Sequence, residues 1–181
     1  MNVFDHFSVP YSSLKDGFHQ YEFVVDNLFF EAFDHSPIKE GNFTVQLGLD
    51  KKASLSHLTF DIRGNFKTNC DRCLADIDMP IRTEELLVIK EDDRNETDDE
   101  IMYVKSDQPF INLAQVIYEY IVIASPMINI YDCEGEIPRK CDMEVLKNIS
   151  DENIIEEQKS GEVGRSIVLP PDLLKNLDLD N

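Results

Sequence analysis

Four stretches of this chain alternate apolar and polar side chains with the period of a half-buried strand. In Phe18 to Asp26, Tyr21, Phe23 and Val25 fall on one face and Gln20 and Glu22 on the other. In Asn42 to Asp50, Phe43, Val45, Leu47 and Leu49 oppose Thr44, Gln46 and Asp50. Leu58, Phe60 and Ile62 oppose Thr59, Asp61 and Arg63, and Ile77, Met79 and Ile81 continue the pattern further on. The polar Asp50-Lys51-Lys52-Ala53-Ser54 is short enough to join two of these strands as a hairpin. Pro80, on the opposite phase, predicts an edge or a bend. Leu86 to Ile89 is apolar on both phases, which predicts a strand covered on both faces, and Ile101 to Val104 reads as a brief return to the sheet.

Elsewhere the period lengthens to that of a helix. Leu28, Phe29, Phe30 and Phe33 suit a short helical turn. Leu113, Val116, Ile117, Tyr120, Ile121 and Ala124 recur at three and four residues and predict one principal helix over 112–124. Asn112 is its expected N-cap and Pro126 its stop. Val145, Leu146 and Ile149 suit another short turn. The expected fold is α+β, a mostly antiparallel sheet, open or closed into a barrel, with that one principal helix. Residues 1–149 are assigned to this domain. Residues 150–181 are read as an acidic, partly flexible C-terminal segment, in which Ile167 to Leu174 docks again.

Charge changes the picture more than composition does. With 36 acidic against 17 basic side chains the net charge is −19, so the average field repels a phosphate backbone and favours a basic protein partner. The run Glu91 to Glu100 holds seven acids and one arginine. Such runs are usually solvated loops, and its Asp92, Asp93, Asp98 and Asp99 are candidate partner contacts. The start Met1 to His6 has neither the basic residues nor the apolar run of a signal peptide. The apolar region Phe110 to Ile130 is broken by polar residues and Pro126. A cytoplasmic location with reduced thiols and no membrane contact is expected.

Four cysteines are too few for a disulfide scaffold. Cys70 and Cys73 have the Cys-x-x-Cys spacing that supplies half of a tetrahedral thiolate shell. Cys133 and Cys141 are more widely spaced, with Gly135 and Pro138 favouring a turn between them. All four are candidate zinc ligands. The alternatives are reduced cysteines buried without metal and a redox pair at Cys70 and Cys73, whose neighbours Arg72 and Lys67 are offset by Asp71 and Asp76. His6, His19, His35 and His57 are isolated, and no metalloprotease, phosphate-loop or nucleophile-elbow motif is present. No enzyme class follows from these residues.

The order of pieces nonetheless resembles a known family. Leu14 to Phe23 leads to Phe29-Phe30, then strands, Gly64, and Cys70-Asp71-Arg72-Cys73-Leu74; the helix from Asn112 ends at Pro126, and Cys133-Glu134-Gly135 follows. This arrangement, over roughly residues 10 to 145, is similar to the YceD family, named for accumulation of large-subunit ribosomal RNA. The chain departs from the family's usual cysteine knuckle: Ile137 stands before Pro138 where a cysteine is usual, and Cys141 falls one residue late. The resemblance implies a non-enzymatic role in large ribosomal subunit biogenesis, exerted through a basic ribosomal protein or a pre-ribosomal particle. It leaves direct RNA contact open.

Overall fold

A computed structural model describes residues 3–92, 101–105, 107–131 and 141–149. Its centre is a five-stranded sheet made of β2 (Gly17–Val25), β3 (Gly41–Lys51), β4 (Leu55–Asn69), β5 (Asp76–Glu91) and β6 (Ile101–Val104), in that order across the sheet. The first four strands are antiparallel and β6 lies parallel to β5. A second, two-stranded sheet pairs β1 (Ser8–Pro10) with β7 (Phe110–Asn112). The larger sheet is open, with β2 and β6 as its margins.

The alternation in sequence becomes the two faces of this sheet. Val45 and Leu47 of β3, Phe60 and Ile62 of β4, and Leu87 and Ile89 of β5 are buried on the inner face. Helix α2 (Ala114–Ala124) presents buried Ile117 and Ile121, and its Tyr120 ring meets Phe60 edge-on at 5.3 Å. Each apolar side chain removed from water there contributes roughly 1.5–3 kcal/mol. A short helix, α1 (Asn27–Glu31), is capped by Asp26, whose carboxylate accepts the Phe29 N–H at 3.2 Å. Phe29 of α1 packs on Phe7 with centroids 4.7 Å apart, and Phe33 stacks on Tyr118 of α2 at 3.9 Å. Aromatic contacts thereby tie the chain's start to both helices.

A buried cation fastens the segment between β1 and β2. Lys51 Nζ donates to the Tyr11 carbonyl at 2.6 Å and the Leu14 carbonyl at 3.0 Å, and lies 4.5 Å from the Tyr11 ring centre. The Tyr11 hydroxyl meets Ser56 Oγ at 2.9 Å. Burial raises the Tyr11 pKa above its ordinary value, so the phenol stays neutral beside these partners.

Several details differ from the pattern-based expectation. Ile77–Ile81 and Leu86–Ile89 belong to one continuous strand, β5. That strand is not covered on both faces: Leu87 and Ile89 turn inward, while Leu86 is 61% exposed on the outer face. Pro80 lies mid-strand opposite Asn65 and, as expected, on an edge: β6 pairs only with Val88–Glu91, so its missing N–H falls where β5 has no second neighbour among the described residues. Asn112 belongs to β7, and the principal helix starts at Ala114; Asn112 Oδ1 still accepts the Ala114 N–H at 3.0 Å.

One compact unit comprises Met1–Cys141. In the unit that begins at Asp142, residues 143–149 are helical, and Asp142 Oδ1 accepts the N–H groups of Glu144 and Val145 at 3.0 and 3.3 Å. The segment 150–181 lies outside the described residues.

Gly64 of β4 lies against Phe43 of β3 with no room for a side chain. A Cβ there would collide with the Asn42 carbonyl oxygen and lie 2.6 Å from Phe43 Cα, both backbone atoms that cannot step aside. Gly64→Ala is expected to destabilise the protein by about 1–3 kcal/mol, read as a lowered denaturant midpoint. An unchanged midpoint would show that β3 and β4 can part there without cost.

Candidate functional site

Cys70 and Cys73 lie in the turn that joins β4 to β5, the longest strand pair of the fold. Asn69 is the last residue of β4 and pairs with Asp76, the first of β5. The turn is closed by its own backbone: Cys70 N–H donates to the Ala75 carbonyl at 2.9 Å and Leu74 N–H to the Cys70 carbonyl at 2.8 Å. Leu74 takes the left-handed conformation, with φ of 58°, to complete it. Asn69 Nδ2 braces the turn from outside, donating to Asp76 Oδ1 at 2.8 Å and the Leu74 carbonyl at 3.3 Å.

Both sulfurs are free thiols and are 0% and 1% exposed. Burial acts to raise the Cys70 pKa, but backbone N–H groups of Tyr131, Arg72 and Cys73 and the Cys73 thiol all hydrogen-bond to its sulfur. The net result is a pKa lowered from 9.0 to about 7. Amides aimed at a buried sulfur do for a thiolate what water would do outside, and this is how a soft metal ligand is prepared.

The turn also holds the chain that leaves α2. Asp71 N–H donates to the Asn129 carbonyl at 2.8 Å, and Asp71 Oδ2 accepts the Asn129 N–H at 2.6 Å. This clasp brings Tyr131 N–H to Cys70. Asn129 Oδ1 is buried with no hydrogen-bond partner among the described residues. Sequence reading did not single out Asp71 as a clasp, Asn129 or Tyr131. The contact spans 58 positions, so no local pattern signals it.

Of the other candidate ligands, Cys133 lies outside the described residues. Cys141 is disulfide-bonded, and its sulfur lies 4.0 Å from Arg72 Nη2 at the cysteine turn. The residues in place therefore fit half of a tetrahedral zinc shell, Cys70 and Cys73, and Cys141 would join only as its thiolate. No group of three or more metal-ligating side chains occurs among the described residues.

Of the acidic candidates, Asp93, Asp98 and Asp99 lie outside the described residues. Asp92 follows β5; its N–H donates to the Val104 carbonyl at 3.1 Å and its carboxylate lies 4.0 Å from Lys90 Nζ. His19 makes a local contact, Nε2 to the Lys15 carbonyl at 2.9 Å. Several surface cations are matched by acids, among them Lys52 with Asp50, Arg63 with Asp61 and Lys67 with Glu40. Exposed pairs of this kind are worth about 0–1 kcal/mol each, but each occupies a basic side chain in a chain short of them. No helix among the described residues is long and apolar enough to cross a membrane.

These features define a small α+β protein built on a cysteine-turned hairpin. The family profile described as "Large ribosomal RNA subunit accumulation protein YceD" matches residues 58–165, more than half of the chain. The chain belongs to this YceD family, whose description ties it to the accumulation of large-subunit ribosomal RNA. No curated protein and no solved structure matches it.

Two outcomes follow from the turn. The folded pKa of Cys70 lies below its unfolded value, so the stability this contributes is present above about pH 9 and is lost as pH falls through about 7. Metal-free protein is expected to gain stability between those limits in denaturant titrations, and Cys70→Ser to flatten the rise; an equally steep rise in the variant would assign it elsewhere. Leu74→Gly should be neutral or stabilising by up to ~1 kcal/mol, because it relieves the left-handed residue at a largely exposed side chain. A clear loss of stability would mean that the Leu74 side chain packs in solution.

Proposed function

We propose that this protein is a non-enzymatic accessory factor in large ribosomal subunit biogenesis, and that it acts through a basic ribosomal protein rather than by gripping RNA. Membership of the YceD family carries the ribosomal part of this reading. The net charge of −19 supports the mechanism, because an acidic body attracts and shields a basic protein and repels bare phosphates. Asp92, Asp93, Asp98 and Asp99 are proposed contacts for that partner.

Zinc at Cys70 and Cys73, completed by Cys133 and by Cys141 once the disulfide at Cys141 is reduced, is the proposed structural clip. It would pin the β4–β5 turn to the chain beyond α2. Support comes from the buried sulfurs and the three amides directed at Cys70. A thiol redox protein built on the same pair would need a sulfur that a substrate can reach, and neither is exposed.

The test is recovery of the tagged protein from its native cytosol at moderate salt, with bound RNA and protein identified and zinc measured in the same preparation. Expected are a basic large-subunit protein that stays bound after ribonuclease treatment and about one zinc per chain, lost in Cys70→Ser/Cys73→Ser. Partners that vanish with ribonuclease would overturn the protein-mediated mechanism, and recovery of no large-subunit component would overturn the biogenesis role. A zinc-free preparation would remove the clip.

A further inference from the structure

Strand β2 is an open margin of the sheet along its whole length. It pairs with β3 through nine consecutive residues, and among the described residues no backbone hydrogen bond joins Gly17–Val25 to any other element. Its inward side chains show the same openness: His19, Tyr21 and Phe23 are half-buried, whereas Val45, Leu47 and Leu49 beside them on β3 are buried. Proteins guard such edges by shortness, proline, lysine or a bulge. Gly17-Phe18-His19-Gln20-Tyr21-Glu22-Phe23-Val24-Val25 has no proline and no lysine, and its register with β3 is unbroken. On the outer face, Phe18 and Val24 are 65% and 62% exposed near the strand's two ends.

Charge selects the occupant. Immediately after Val25 the chain enters a cleft of about 500 Å³ lined by Asp26, Glu31, Glu40 and Asp78. Lys67 is the only cation in that lining, and it is already 2.7 Å from Glu40. Glu22 adds another acid mid-strand. A nucleic acid has no peptide backbone with which to extend the ladder, and a second copy of this chain would bring another net charge of −19 to the same edge.

We propose that β2 is a strand-addition site for an extended, basic segment of a partner protein. The segment pairs its main chain with Gly17–Val25 and places lysine or arginine side chains in the acidic cleft beyond Val25. Main-chain hydrogen bonds supply affinity, while Phe18, Val24 and the cleft select apolar and cationic side chains. The inference rests on the reading that the partner is a basic protein and adds how that protein is held.

The test uses the full chain and a synthetic peptide of alternating lysine and valine, followed by amide hydrogen exchange. Expected is new protection within Gly17–Val25, with affinity falling at least about tenfold when alternate peptide nitrogens are methylated. Phe18→Lys with Val24→Lys should weaken binding by a similar factor while keeping the unfolding midpoint, since both side chains are exposed. Equal binding of the methylated peptide, or protection located elsewhere, would overturn the proposal. So would β2 amides already as protected in the free chain as those of β3, or a dimer that dissociates in the Val24→Lys variant. No ribosomal component enters this assay, so the edge can fail while large-subunit recovery succeeds, and the reverse.

Discussion

The antiparallel pairing of β4 with β5 is the constraint on which the rest of the fold depends. Fifteen residue pairs run from Leu55↔Lys90 to Asn69↔Asp76 without a break in register. A slip of one residue would turn Leu87 and Ile89 outward and leave α2 without the floor it packs on. The turn Cys70–Ala75 sets that register, and the same turn clasps Asn129 beyond the far end of α2. One short loop thus fixes both the hairpin and the exit of the helix that covers it. Any ligand that tightened the cysteine turn would act on both at once.

The parts of this fold that were legible in the sequence are those whose signal is local. Alternation in β2 and β3 and the three-and-four spacing of Leu113 to Ala124 marked the inner face and its covering helix because each burial choice repeats within a few residues. Leu86 misled for the converse reason: an apolar side chain stands on the exposed face, so Leu86 to Ile89 reads as buried throughout. Pro80 marked an edge or a bend, and it does stand on an edge of β5, because a proline's missing donor is tolerated where no second strand needs it. The chain's start was illegible. Ser8-Val9-Pro10 is too short for a period, and its partner Phe110–Asn112 lies about a hundred residues away.

The cysteine site divides along the same line. Spacing exposed Cys70 and Cys73, since two thiolates from one turn are a local requirement of tetrahedral ligation. What makes the turn chemically distinct is the set of amides around Cys70, and one of these comes from Tyr131, carried there by the Asp71–Asn129 clasp. Backbone groups leave no mark on residue identity. The spacing of the two thiols is visible in the sequence, and the dipoles around them are not.

Charge ties these pieces together. The full chain carries a net charge of −19, which costs it self-repulsion, and Lys67 is the one cation in the lining of the cleft after β2. Cations brought by a partner relieve that repulsion in the folded chain more than in the expanded one, where the acids stand farther apart. Binding of the proposed basic partner would therefore stabilise the fold by linkage, in proportion to how much better that partner recognises the compact state. On the proposed reading, the counter-charge that the acids of this cleft lack would come from the basic segment of the partner.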